Sequence, residues 1–234
     1  YNIVWLASYV LSGYAMFLLI KYLANIDGHG AGRQSTDASS SFAAFGAPFL
    51  GGLAYMFLPY HVAHSFGHFG AMQTQWLPLL ILFMFKFLQR PLCSNAVVFS
   101  TLLVIQAWTE HHYLLWWFIF SLFFIFFHWR QIFHLLSKIS SYPALAIIIF
   151  VSFFFIILPY RPTMQLALPA DSDLKLGLNA AANYSADIFS YLVPAFFHPF
   201  LGQTSQWLFG RHFTGNLLET TSFLGFMPLI ITIY

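Results

Sequence analysis

Outside one long loop that holds Arg161, Lys175 and Arg211, the Lys and Arg of this chain fall in every second gap between its apolar runs. Lys21 and Arg33 follow the first run, Lys86 and Arg90 the third, Arg130 and Lys138 the fifth. The intervening gaps carry histidine and acid instead: His61, His64 and His68 in one, Glu110, His111 and His112 in the next. Basic residues are retained on the cytoplasmic side of a membrane, so the alternation dictates an orientation for each run. It assigns the six His and Glu residues to the opposite, non-cytoplasmic surface.

That reading needs the runs to be membrane spans, and composition supports it. The chain is 59% hydrophobic and 7% charged, against ~25% charged in an average soluble domain. Its mean hydropathy is +0.73. A water-soluble fold of this size cannot bury so much apolar surface and still present a wettable exterior. Runs such as Ala144 to Leu158 are apolar on every face, which excludes the alternating pattern of a transmembrane β-barrel. The expected fold is all-α, a polytopic transmembrane helical bundle with a long external loop. A net charge of +2 gives no reason to expect nucleic acid. The single Cys93 forms no internal disulfide.

A crossing takes ~20 apolar residues. The expected spans are Asn2 to Tyr22, Phe42 to Tyr60, a third around Trp76 to Leu88, Asn95 to Thr109, Tyr113 to Phe127 and Pro143 to Tyr160. A truncated seventh begins near Phe223. The third is short and calls for extension back through Ala71 to Gln75, or for an interfacial helix over His61 to Gly70. Asn25 to Ser41 is rich in Gly, Ser and Asp and reads as a loop. In the second span Gly46, Gly51, Gly52 and Ala54 are small enough to let helices approach closely. Arg130 to Ser141 mixes Arg, Lys, His and Leu at helical spacing and suits a cytoplasmic interfacial helix, with a solvated connector as the alternative. The organisation expected is therefore a transmembrane module over 1–160, a non-cytoplasmic loop over 161–222 and the start of a further span over 223–234. The loop contains amphipathic pieces, such as Ala186 to Phe197, and Phe189, Tyr191, Phe196, Phe197, Phe200 and Trp207 suggest that it folds against the membrane. Tyr1 opens inside an apolar run with no initiator Met and no signal-peptide n-region, so the chain reads as a fragment.

Four constellations can carry chemistry. His61, His64 and His68, at i, i+3 and i+7, share a face if helical, and can bind a divalent metal or an anionic substrate. Glu110, His111 and His112 sit at a hairpin tip, where an acid beside two imidazoles can hold a metal, neutralise phosphate or act as a base. Glu110 and His111 are the catalytic candidates; His61, His64, His68 and His112 are the substrate-binding ones; His61, His64, His68 and Glu110 are the metal-ligand candidates. Asp171-Ser172-Asp173 has the spacing to bridge a cation to phosphate, and Asn183-Tyr184-Ser185 fits a glycosylation acceptor. For each, the plainer alternative is a hydrated polar turn or cap. The span centres lack Asp, Glu and Arg, which argues against an ion-coupled transporter.

An ordered series of short motifs adds a resemblance. Tyr1-Asn2 with Ser12-Gly13-Tyr14 comes first, then Gly51-Gly52-Leu53-Ala54 leading into Phe57-Leu58-Pro59-Tyr60, then Gly67-His68 with Gln75-Trp76-Leu77-Pro78-Leu79. Tyr184-Ser185-Ala186-Asp187, Tyr191-Leu192-Val193-Pro194 and His198-Pro199-Phe200-Leu201-Gly202 follow, ahead of Glu219 and Leu224-Gly225-Phe226-Met227-Pro228-Leu229. In this order the chain resembles the large bacterial and archaeal membrane proteins of the GT-C glycosyltransferase class, of protein-mannosyltransferase and aminoarabinose-transferase type. The resemblance implies an integral plasma-membrane protein that transfers a sugar from a polyprenyl-phosphate carrier at the non-cytoplasmic face. It also implies a long external loop after a seventh helix, which 161–222 matches if one helix and the first external loop precede Tyr1. The key carboxylate of the class would then lie upstream of Tyr1. A lipid or polysaccharide transporter and a non-catalytic assembly protein are the competing readings.

The charge pattern makes a direct prediction. Cysteines introduced at Thr109 and at Ser185 should be labelled by an impermeant maleimide only from the non-cytoplasmic side. Labelling of either from the cytoplasmic side alone would invert the topology.

Overall fold

The computed structural model describes residues 2–30, 38–139, 143–167, 186–217 and 221–223. All regular structure among them is helical, and no strand occurs. The helices are α1 (Asn2–Gly30), α2 (Ala38–Met56), α3 (Pro59–His64), α4 (Trp76–Gln89), α5 (Cys93–Thr109), α6 (His111–Ile139), α7 (Pro143–Ser152), α8 (Leu158–Ala167) and α9 (Gly202–His212). A π-helical turn, Phe153–Ile157, joins α7 to α8, and a 3-10 turn covers Ile188–Leu192. Two of the apolar stretches are long enough to cross a bilayer, Asn2–Asn25 with 24 residues and His111–Arg130 with 20. Trp76–Gln89, Cys93–Thr109 and Pro143–Ile157 are apolar but shorter.

The described chain falls into two compact units. The first comprises Tyr1–Met56 with Gln73–Thr163, the second Phe57–Met72 with Met164–Tyr234. In the first, α1 packs on α2 and α4, and α5 packs on α4 and α7. Its main core joins Leu80 and Met84 of α4, Leu102, Leu103 and Ala107 of α5, Trp117 of α6 and Ile156 of the π turn. A smaller cluster seats Phe87 against Ala96 and Ala144, where two methyl side chains let α5 and α7 come close.

Small residues act the same way between α1 and α2. A Cβ on Gly52 would lie 2.7 Å from the Gly13 carbonyl oxygen, so the two backbones meet there with no room for a side chain. Beside this contact α1 carries a polar stripe. The Ser12 hydroxyl lies 2.9 Å from that of Thr74, and Tyr55 donates to the Thr74 carbonyl at 3.0 Å. Gln73, Thr74 and Gln75 are all buried.

Several expected boundaries are corrected. α1 continues to Gly30 through the stretch read as loop; 31–37 lie outside the described residues. α2 stops at Met56 rather than Tyr60, because Pro59 opens a separate helix at a position where its missing N–H costs nothing. α4 begins at Trp76 without backward extension, as the residues before it take turns, and it tolerates Pro78 because that residue lies in the first turn. The fifth span and the basic segment after it are one helix, broken only at His128, whose φ of −114° and ψ of 20° leave the helical region. The cause is local: the His128 Nδ1 lies 3.2 Å from the Phe124 carbonyl, the acceptor that the backbone N–H of residue 128 would use. Helix also runs past Tyr160 to Ala167, into the segment expected to be loop. Of the amphipathic piece expected over Ala186 to Phe197, only Ile188–Leu192 is helical. The seventh span, beyond Phe223, lies outside the described residues.

Leucine in place of Gly52 should separate α1 from α2 at a cost of about 1–3 kcal/mol, the usual range for overpacking. Thermal unfolding of the purified protein in detergent checks this. An unchanged midpoint would show that the close approach carries no stability.

Candidate functional site

Glu110 is the single residue between α5 and α6. Its backbone is extended, with φ −156° and ψ 104°. α5 ends at this extended residue, which leaves its last carbonyls with no donor farther along the helix, so other groups must supply one. The Glu110 N–H donates to the Gln106 carbonyl at 3.0 Å, and the Gln106 side-chain amide donates to the Glu110 carbonyl at 3.2 Å. The Tyr160 hydroxyl donates to the Ala107 carbonyl in a short bond.

The opposite wall is held by the same pair of elements. Pro159 has no N–H, so the Phe155 carbonyl lacks its α-helical donor and the helix widens into the π turn. The indole of Trp108 donates to that carbonyl at 2.8 Å. Trp108 and Tyr160 thus clamp the α5 C-terminus to the α7–α8 junction. Neither was a candidate from sequence. The available signal was Pro159 four residues after Phe155 inside an apolar run.

On this turn stand three metal-capable side chains. The Glu110 carboxylate oxygen lies 2.6 Å from His112 Nδ1 and 3.8 Å from His111 Nδ1. It also accepts the backbone N–H of His112 at 3.3 Å, so it caps the first turn of α6. One ligand atom from each of the three residues lies within 4.8 Å of the others. The two imidazoles are mostly exposed and the carboxylate mostly covered. His111 also lines a groove of about 490 Å³ whose other walls are Leu103, Leu114, Leu115, Trp117, Phe118 and the π-turn residues Ile156 and Ile157, with Ser121 and Ser152 as its hydroxyls. The groove is therefore mostly apolar, and of the three clustered side chains His111 is the one that lines it.

The other histidines are placed differently. His61 and His64 lie on the short α3 and are buried, 1% and 2% exposed, whereas His68 is exposed beyond its end. The His64 ring stacks on Tyr60 with centroids 4.0 Å apart and comes within 5.3 Å of His68, and its Nδ1 lies 2.9 Å from the Tyr60 carbonyl. α3 is too short to display all three on one helical face. Among the described residues only Glu110, His111 and His112 form a group able to hold an ion. The two clusters belong to different units. Asp171-Ser172-Asp173 and Asn183-Tyr184-Ser185 lie outside the described residues.

In the second unit, part of the expected loop is folded. Asp187 accepts the Thr214 N–H at 2.9 Å and the Gly215 N–H at 3.4 Å, closing the segment that contains α9. His198 Nδ1 accepts the N–H groups of Phe200 and Leu201 ahead of α9. A Cβ on Gly202 would sit 2.5 Å from the Phe196 carbonyl oxygen, so only glycine fits the start of that helix. The chain matches no protein-family model, no curated protein and no solved structure.

Removing the Tyr160 hydroxyl in Tyr160→Phe leaves the Ala107 carbonyl without its donor. The expected loss is about 1–3 kcal/mol, with faster amide exchange around Glu110. Unaltered exchange there would show that the clamp does not hold the turn.

Proposed function

We propose that this chain is part of a multi-spanning helical membrane protein that transfers a sugar from a polyprenyl-phosphate carrier at the non-cytoplasmic surface. The observation that carries the proposal is the apolar groove lined by His111, which stands on one turn with Glu110 and His112.

The membrane setting is supported by what the apolar helices leave uncovered. Only 28% of the apolar window in Asn2–Asn25 and 11% of that in His111–Arg130 is buried. A core helix of a water-soluble protein is mostly covered. Phe118, Phe123, Phe126 and Phe127 instead stand in the open on α6, a cost that lipid removes. The shorter helices fit a bundle in which turns and interfacial pieces complete each crossing; fourteen residues in α4 rise only about 21 Å against a core of about 30 Å.

Energetics divides the work between the two ends of the groove. An isoprenoid tail already rests in hydrocarbon, so moving it into an apolar groove gains little from the hydrophobic effect. The groove supplies shape, and affinity must come from the head. Phosphate beside two imidazoles, or beside a divalent ion held by them and Glu110, gains charge-assisted bonds in a site partly shut off from water. Glu110 and His111 take the leading roles in this reading, His112 orients the carboxylate, and the charge alternation assigns His61, His64 and His68 to the same membrane surface. A transporter is favoured by one observation, the buried polar stripe of Ser8, Ser12, Thr74 and Gln75; the Ser12–Thr74 pairing closes it on itself locally.

The test is sugar transfer from a polyprenyl-phosphate donor by membranes carrying the whole polypeptide. Glu110→Gln with His111→Ala should lower transfer on the order of a hundredfold, with added zinc or manganese failing to restore it. Glu110→Gln keeps an oxygen for the cap, so lost folding is not the expected cause. Full activity in the double variant would remove the cluster from the mechanism, and no transfer with any donor would favour the transporter or assembly readings.

A further inference from the structure

We infer that the inner end of α6, from His128 to Ile139, is a docking helix for anionic lipid headgroups. The inference rests on the membrane reading given above and is independent of sugar transfer.

The sequence supplies two faces. Trp129, Ile132, Phe133 and Leu136 recur at i, i+3, i+4 and i+7, the spacing of one helical stripe. Arg130, His134 and Lys138, at i, i+4 and i+8, form a second stripe centred on the other side by the same register. No Asp or Glu occurs between Glu110 and Asp171, so nothing in this stretch offsets the two cations. A water-soluble connector has no reason to carry the first stripe, and a span has no use for the second.

The structure adds three observations. The segment is helical to Ile139, yet the helix breaks at His128, the last residue before the amphipathic register begins. The break allows the segment a direction different from that of the apolar run above it, as an in-plane helix requires. Trp129 and Phe133 are 52% and 64% exposed, and they meet edge to face with centroids 6.2 Å apart. They therefore form an uncovered aromatic wedge rather than part of the protein core. The Arg130 guanidinium lies 5.5 Å from the Trp129 ring, so charge and wedge sit side by side. Aromatic rings beside a guanidinium match a lipid phosphate surface. A second copy of the chain would set Arg130 and Lys138 against their own kind, so charge complementarity selects the anionic lipid.

The consequence is a fixed orientation for α6. Its outer end carries His111 and His112 and lines the groove, so docking the inner end on anionic phosphate limits how far the span can tilt.

The experiment uses the whole chain in lipid nanodiscs, with Cys93→Ser as background and a nitroxide attached at Phe133→Cys, His134→Cys or Val10→Cys. Accessibility to oxygen and to a water-soluble nickel chelate reports depth at each site. In discs containing phosphatidylglycerol the label at 133 should be shielded from nickel and the label at 134, on the polar stripe, open to it. Replacing phosphatidylglycerol by phosphatidylcholine, or combining Arg130→Gln with Lys138→Gln, should expose position 133. The docked-to-undocked ratio should fall by on the order of tenfold in each case, the effect of two basic groups near an anionic surface. Equal nickel access at 133 and 134 in both lipids, or shielding that survives the double neutralisation, would overturn the inference. Val10, exposed on α1, separates the two failures. If it is shielded while 133 is open, only the docking fails; if it is open too, the membrane reading fails with it.

Discussion

Two backbone carbonyls that have lost their helical donors organise the first unit. Ala107 loses its partner because α5 ends, and Phe155 because Pro159 carries no N–H. A carbonyl shut off from water and left unpaired costs about 1–3 kcal/mol, and each of these two finds a donor from another element. Tyr160 and Trp108 meet both needs across the same seam. The chain can then reverse at Glu110 with a single residue, and α6 starts where the groove wall requires it. The core contacts of Trp117 and Ile156 follow from that placement.

How much of this was legible in the sequence depended on the range of the interaction responsible. The helices themselves follow from runs of apolar residues, whose signal is local and strong, and α5 came within two residues of its expected start. The small-residue contact at Gly52 was legible because lack of a side chain has one main structural use in a span. Boundaries set by competition at one bond were harder. The break at His128 comes from an imidazole contesting the Phe124 carbonyl, and its sequence context is that of any aromatic run. Pro159 was visible, but its effect, a widened turn satisfied by Trp108, depends on a residue far away in the chain.

The candidate site divides in the same way. Glu110, His111 and His112 are neighbours in sequence, so their proximity needed only a tight turn, and a hairpin tip provides one. His61, His64 and His68 needed a regular helix through His68, and α3 ends at His64 because Ser65 and the residues after it take turns. Periodicity assumed a length that the chain does not give. The groove was not legible at all, since its walls come from α5, α6 and the π turn and exist only once these are packed.

That the three metal-capable side chains are consecutive bears on how the site would behave. Structural metal sites join distant parts of a chain, and the ion then offsets the entropy of closing a long loop, so such folds melt when it is removed. At Glu110, His111 and His112 there is no loop to close. The turn is held by Tyr160, Trp108 and Gln106 through bonds that involve no ion. An ion here would come and go on a protein that stays folded, its residence set by the surrounding solution and by whatever anion shares it, as suits a component that turns over with its substrate rather than one built in at folding.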